Sequence, residues 1–133
     1  MQKGVNQNDL VLPNRYTKMS PENKYFLVPP NCCLTVSIVG AKRSSLNQLY
    51  ALNGTLVSGR PLYVDLSNQN GIWFSGTYWM VGSISNVNEG KLTYGYIHND
   101  GEAGECPGES ESWKEYYDSS WGINEEVTIA CDG

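Results

Sequence analysis

Apolar and polar positions alternate along most of this chain with the two-residue period of strands. In Leu34 to Val39, Leu34, Val36 and Ile38 share one side of an extended segment that stops at Gly40. Leu49 to Leu52 is a second run. The Asn53-Gly54 that follows predicts a hairpin turn, with Thr55 to Val57 as the return strand closed by Ser58-Gly59. Pro61 to Leu66 is the next short run, and Pro61 marks it as an edge strand or a strand start. Asn70-Gly71 predicts another tight hairpin, leading into Ile72-Trp73-Phe74, and Tyr78 to Val81 follows. Leu92 to Ile97 reads as a strand broken by Asn99-Asp100-Gly101. Trp113 to Tyr117 reads as a helical turn or a strand, and Glu126 to Cys131 as the closing strand. No stretch holds a 3.6-residue period over three turns. The expectation is an all-β fold: a small antiparallel sandwich or barrel of about seven or eight short strands in a meander.

Residues 1–31 break this pattern. They hold four of the six prolines, no cysteine and little alternation. Tyr25-Phe26-Leu27-Val28 is stopped by Pro29-Pro30, so the segment reads as an N-terminal arm or linker that adds at most one edge strand. Residues 32–133 form the single β domain. A chain of 133 residues is one domain's worth of polypeptide and is long enough to bury a core.

Only 17% of residues are charged, below the roughly 25% usual for globular domains. The net charge of -5 argues against nucleic acid as a partner. No apolar stretch reaches the roughly 18 residues of a membrane-spanning helix. The charge is uneven. Residues 1–88 carry seven Lys and Arg against three acids, or +4; residues 89–133 carry two Lys against eleven acids, or -9. Asp100 to Asp118 alone holds seven acids and one Lys, which reads as a solvated, self-repelling loop.

Four cysteines stand at 32, 33, 106 and 131. No Cys-x-x-Cys pair exists and His98 is the only histidine, so the spacing does not suit zinc. An even count in a small chain reads as two disulfides and an oxidising compartment. Joining adjacent Cys32 and Cys33 would make a strained ring, which leaves two pairings. Strand parity puts Cys32 on the face of Leu34, Val36 and Ile38, and Cys131 on the face of Val127 and Ile129. It therefore favours Cys32 with Cys131; a bulge beside the disulfide would reverse the choice. Either way the first and last core strands are tied together. Asn53-Gly54-Thr55 is an N-glycosylation sequon and fits a secreted protein.

The order of residues from Val36 to Trp121 resembles a known module. It reads Val-x-Ile-Val-Gly-Ala, Leu49-Tyr50, Gly59-Arg60-Pro61-x-Tyr63, Ile72-Trp73-Phe74, Tyr78-Trp79-Met80-Val81-Gly82, Gly95-Tyr96-Ile97, Cys106-Pro107, Trp113 and Trp121. This resembles a β-rich module of extracellular proteins of marine invertebrates and of protist proteins, over residues 33–131. The resemblance implies a non-catalytic unit of larger adhesive or matrix proteins. The adjacent Cys32-Cys33 and the acidic segment around 99–118 depart from the module's usual form.

Candidate chemistry is sparse. A lone His98 offers a base, but no Gly-x-Ser-x-Gly elbow accompanies it and the cysteines are used in bridges. The acids between Glu102 and Glu115 lie in a Gly- and Ser-rich segment that promises neither rigid placement nor a raised pKa for glycosidase work. No enzyme is expected. Asp100, Glu102 and Glu105 offer hard oxygen ligands of the kind calcium takes, without the EF-hand pattern; no other cofactor is implied. Aromatic rings are dense between Tyr50 and Trp121, and those left outside the core form a stacking or contact patch. Tyr96, Trp113, Tyr116 and Tyr117 are the expected ligand-binding residues, placed where the acidic segment meets the strand ends. The expected function is a secreted binding or adhesion module for protein or glycan. The alternative is a matrix domain that self-associates, its N-terminal arm donating a strand to a second copy.

Overall fold

Alternation becomes strand pairing from Thr35 onward. The computed structural model describes residues 16–18, 25–27 and 32–132. Among them, β1 (Tyr16–Lys18) and β2 (Tyr25–Leu27) pair only with each other, in a separate two-stranded sheet. The rest of the 1–31 arm lies outside the described residues. The domain itself is built from β3 (Thr35–Val39), β4 (Leu49–Val57), β5 (Arg60–Asp65), β6 (Asn70–Phe74) and β7 (Trp79–Ser83). A short helix α1 (Ile84–Asn88) follows, then β8 (Ile97–Asn99), β9 (Trp113–Tyr117), β10 (Ser120–Ile123) and β11 (Thr128–Cys131). The nine strands form one antiparallel sheet curled into a half-barrel. β3 to β10 run as a meander, and β11 returns to pair with β3. No helix among the described residues is long and apolar enough to cross a membrane.

Both faces of the sheet bury apolar residues, because the curl makes them unequal. The inner face holds the larger core. Val36, Ile38, Tyr50, Tyr63, Ile72, Trp79, Val81, Ile97, Trp113 and Ile129 come from every strand of the sheet except β10. On the outer face, Leu62, Val64, Trp73 and Met80 form a second cluster covered by Ile84 and Val87 of α1 and by Leu92. The helix is held by Ser83, whose hydroxyl accepts from the Ser85 N–H at its start. The two covered faces explain why Gly71 to Phe74 of β6 and Trp79 to Gly82 of β7 are buried without a break. A strand with both faces covered loses the polar half of its alternation.

Two buried acids organise turns. Asp65 accepts from the backbone N–H groups of Gln69 and Asn70 and from the Ser67 hydroxyl, which shapes the β5–β6 turn. Glu115 accepts from the N–H groups of Lys42 and Arg43 and from the Asn124 amide, which also donates to the Gly40 carbonyl. Glu115 thus ties the loop after β3 to β9 at one end of the curl. Burial leaves two phenols reluctant to ionise. The Tyr63 hydroxyl, donating to the Cys33 carbonyl, is pushed up to about 12, and Tyr50 is raised by burial and by the charge of Asp65.

Several local expectations are corrected. Asn53-Gly54 is not a turn. β4 runs straight through it to Val57, with a register shift between Leu52 and Leu56 and Gly54 at φ +96°. The reversal comes at Ser58 and Gly59, both at positive φ, the geometry of a two-residue hairpin. Asn70-Gly71 likewise opens β6, and the turn lies before it. Pro61 is the second residue of β5, a central strand and not an edge, where it pairs with Leu56 beside the bulge. Residues 92–96 are a turn and an irregular segment, and only Ile97–Asn99 pair as a strand.

The disulfides join Cys32 to Cys106 and Cys33 to Cys131, with Cα atoms 5.2 and 5.6 Å apart. This reverses the pairing favoured by parity. The chain bends at Leu34, which is exposed, and regular alternation starts only at Thr35. The bend turns Cys33 onto the core beside Tyr63 and leaves Cys32 to reach the acidic segment.

Candidate functional site

Residue alternation in β8, β9 and β10 decides which aromatic rings reach the surface. Ile97, Asn99, Trp113 and Glu115 point inward. His98 and Tyr116 therefore point outward, and Trp121 sits directly opposite Tyr116 on β10. Tyr78, just before β7, completes a row across four strands. Ring centroids are 4.5 Å apart for Tyr78–His98, 4.7 Å for His98–Trp121 and 5.5 Å for Tyr116–Trp121. These are stacking distances for tilted rings. The His98 Nδ1 lies 2.8 Å from the Asn99 carbonyl, which fixes its plane.

Beside this row runs a groove of about 420 Å³. One wall is Tyr116 and Trp121; the other is Thr93 to Tyr96 with Asn86 of α1. The second wall stays close to β7 because two glycines meet there. A Cβ on Gly82 would lie 2.8 Å from the Gly95 Cα, and one on Gly95 would lie 2.8 Å from the Val81 carbonyl oxygen. The Tyr96 N–H donates to that Val81 carbonyl at 2.7 Å, and the Tyr116 N–H donates to the Tyr96 carbonyl. Asn86 Nδ2 donates to the Tyr94 carbonyl at 3.1 Å. Backbone bonds thus fix both walls, while Tyr94 and Trp121 stay 60% and 42% exposed.

The structure brings together two of the four residues expected to bind ligand, Tyr96 and Tyr116. Trp113 is 1% exposed and belongs to the core. Tyr117 follows Tyr116 and so faces the other way. It lines a small cavity of about 90 Å³ with Lys42, Glu115 and Asn124, and the Lys42 ammonium lies 5.9 Å from its ring centroid. Sequence reasoning left out Tyr94 and Trp121. The signal for Tyr94 was present, since Tyr94 and Tyr96 share strand parity. Trp121 sits in Ser120–Ile123, a run of four exposed residues too short to be read as a strand.

The groove meets the acidic segment at Tyr116 and lies away from its loop, residues 100–112. Asn99 pairs with Trp113 at the end of β8 where that segment starts, whereas Tyr96 and Tyr116 meet at the other end. The segment is held down at several points. The Gly104 carbonyl accepts from Trp79 Nε1 at 2.8 Å and from Arg60 Nη1 at 2.6 Å, and Cys106 is bridged to Cys32. The Arg60 guanidinium also lies over Phe74, 3.7 Å from the ring centroid. Asp100 pairs with Lys114 at 3.8 Å and accepts from the Ser112 hydroxyl. Asp100, Glu102 and Glu105 are not gathered: among the described residues, no three His, Cys, Asp or Glu side chains form a group able to hold a metal ion. Asn53 stands exposed on the β4 bulge.

Compared with protein-family models, with curated proteins and with solved structures, the chain matches none.

Proposed function

We propose that this chain is a non-catalytic binding module of the extracellular compartment, and that its outer aromatic groove holds a glycan. The groove itself carries the reading: four rings on fixed backbone, two of them well exposed, with an amide and a hydroxyl beside them. Sugars offer flat C–H faces for rings and hydroxyl edges for amides, so this lining suits them. A rigid scaffold with aromatic groups at low entropy cost is the usual economy of a recognition surface. Two disulfides favour an oxidising compartment. An N-glycan at exposed Asn53 belongs to the same reading, as does a place within an adhesive or matrix protein of the kind the chain resembles.

A glycan array probed with the wild-type protein and with Trp121→Ala tests this. Binding that the variant loses, with its melting temperature kept, supports the proposal. Array binding unaffected by Trp121→Ala, or no binding by either protein, contradicts it.

The second reading is self-association. It is favoured by β10, an edge strand whose four residues are all exposed, Trp121 and Ile123 among them. Sedimentation at increasing concentration distinguishes it: a dimer that Ile123→Lys dissolves would favour assembly over glycan binding.

A further inference from the structure

We infer that the groove selects uncharged pyranose sugars over acidic glycans. The inference rests on the glycan reading above and adds the ligand's chemical class. Its basis is the chemistry of the lining. Asn86, Thr93, Gly95 and the rings of Tyr94, Tyr96, Tyr116 and Trp121 contribute no formal charge. A sulfate or carboxylate placed there would lose water without gaining a paired cation, which costs more than the stacking returns.

Two cations stand against rings of the groove, and neither lines it. Lys91 lies 5.8 Å from the Tyr94 ring centroid but pairs with Glu89 at 3.1 Å. The Arg43 guanidinium lies 3.8 Å from the Tyr96 ring centroid, a cation–π contact that holds it against that ring.

The hydrogen-bonding sense of the groove narrows the class further. The Asn86 Nδ2 gives one of its two hydrogens to the Tyr94 carbonyl, which leaves the amide Oδ1 as an acceptor and the second N–H as a donor. An edge that accepts as well as donates calls for a ligand that brings donors as well as acceptors. Sugar hydroxyls do so. A proline-rich peptide, the other common occupant of aromatic grooves, brings carbonyls and lacks N–H donors at its prolines. Trp121 is the ring best placed to stack on a pyranose, since it is exposed on one side and braced by His98 and Tyr116 on the other.

The test is calorimetric titration of the full chain with cellohexaose, laminarihexaose, mannohexaose and maltohexaose, with heparin and polygalacturonate oligosaccharides, and with a polyproline peptide. At least one neutral hexaose should bind, with an affinity that changes less than about twofold between low and high salt. Trp121→Ala should weaken it at least tenfold, and Asn86→Asp, which puts a charge into the groove, should also weaken it. Salt-sensitive binding of the acidic oligosaccharides that Trp121→Ala abolishes would overturn this inference while leaving the glycan site standing. Binding of the peptide in the groove, or of no sugar in the panel, would overturn it together with the reading it rests on.

Discussion

The imidazole of His98 rests against the indole of Trp121, with ring centroids 4.7 Å apart. The lone histidine therefore acts as a brace behind one wall of the groove, and its other ring face is taken up by Tyr78. His98→Ala should remove the brace but leave Tyr116 against Trp121. The expected outcome is a folded protein whose ligand affinity falls by a few-fold, under about 1 kcal/mol. Titration of the variant checks this, and a loss of a hundredfold or more would place His98 in direct contact with the ligand.

Trp113 and Trp121 lie on neighbouring strands and should respond to truncation in opposite ways. Trp113→Ala removes a ring fully enclosed in the inner core and should cost about 3–5 kcal/mol of stability. Trp121→Ala removes a ring that is nearly half exposed and should leave the melting temperature within a few degrees of wild type. Thermal unfolding followed by circular dichroism measures both.

The buried phenols predict a weakness at alkaline pH. Tyr63 holds its proton to about 12 in the folded state, and Tyr50 is raised in the same direction, against the ordinary phenol value of 10.0. Above about pH 10 the unfolded chain gives up these protons first, so the folded state binds more of them and stability falls as pH rises. Stability should be level in this respect below about pH 10 and decline as the pH passes through about 12. Denaturant melts at stepped pH check this, and Tyr63→Phe should flatten the decline.

The bend at Leu34 predicts which thiol is released when one bridge is cut. Cys106→Ser should free Cys32 alone, because Cys33 remains bonded to Cys131. Alkylation without reductant, followed by peptide sequencing, should place the label on Cys32. A label on Cys33 would contradict the assigned connectivity. Cutting the Cys33–Cys131 bridge, which closes a longer loop, should cost roughly 2–5 kcal/mol.

The all-β class was legible because Val36, Ile38, Val127 and Ile129 alternate as strands must, and their two segments do pair. The disulfide-tied first and last strands were legible for the same reason. The turns were harder to read. Asn53-Gly54 satisfies the need for a positive φ, but a bulge and a hairpin share that need, and only the pairing of β4 with β5 decides between them. Parity arguments failed at Cys32 and Cys33 because a bend, invisible in composition, lies between them and the strand. Trp113 was misjudged from its acidic neighbours: Glu115, two residues on, is itself buried, its charge met by backbone N–H groups from a loop more than seventy residues away in sequence. Tyr94 and Trp121 come to share a groove through the strand order β7-β8-β9-β10, which no local pattern encodes.

The indole of Trp121 also provides the most direct measurement. Trp73, Trp79 and Trp113 are buried, so Trp121 is the tryptophan whose emission reports on solvent and ligand. A neutral oligosaccharide seated in the groove should shift that emission to shorter wavelength in a saturable titration, and Trp121→Phe should abolish the shift while the protein stays folded. Binding measured by calorimetry with no change in Trp121 emission, or a shift that survives in Trp121→Phe, would contradict the assignment of the groove as the binding site.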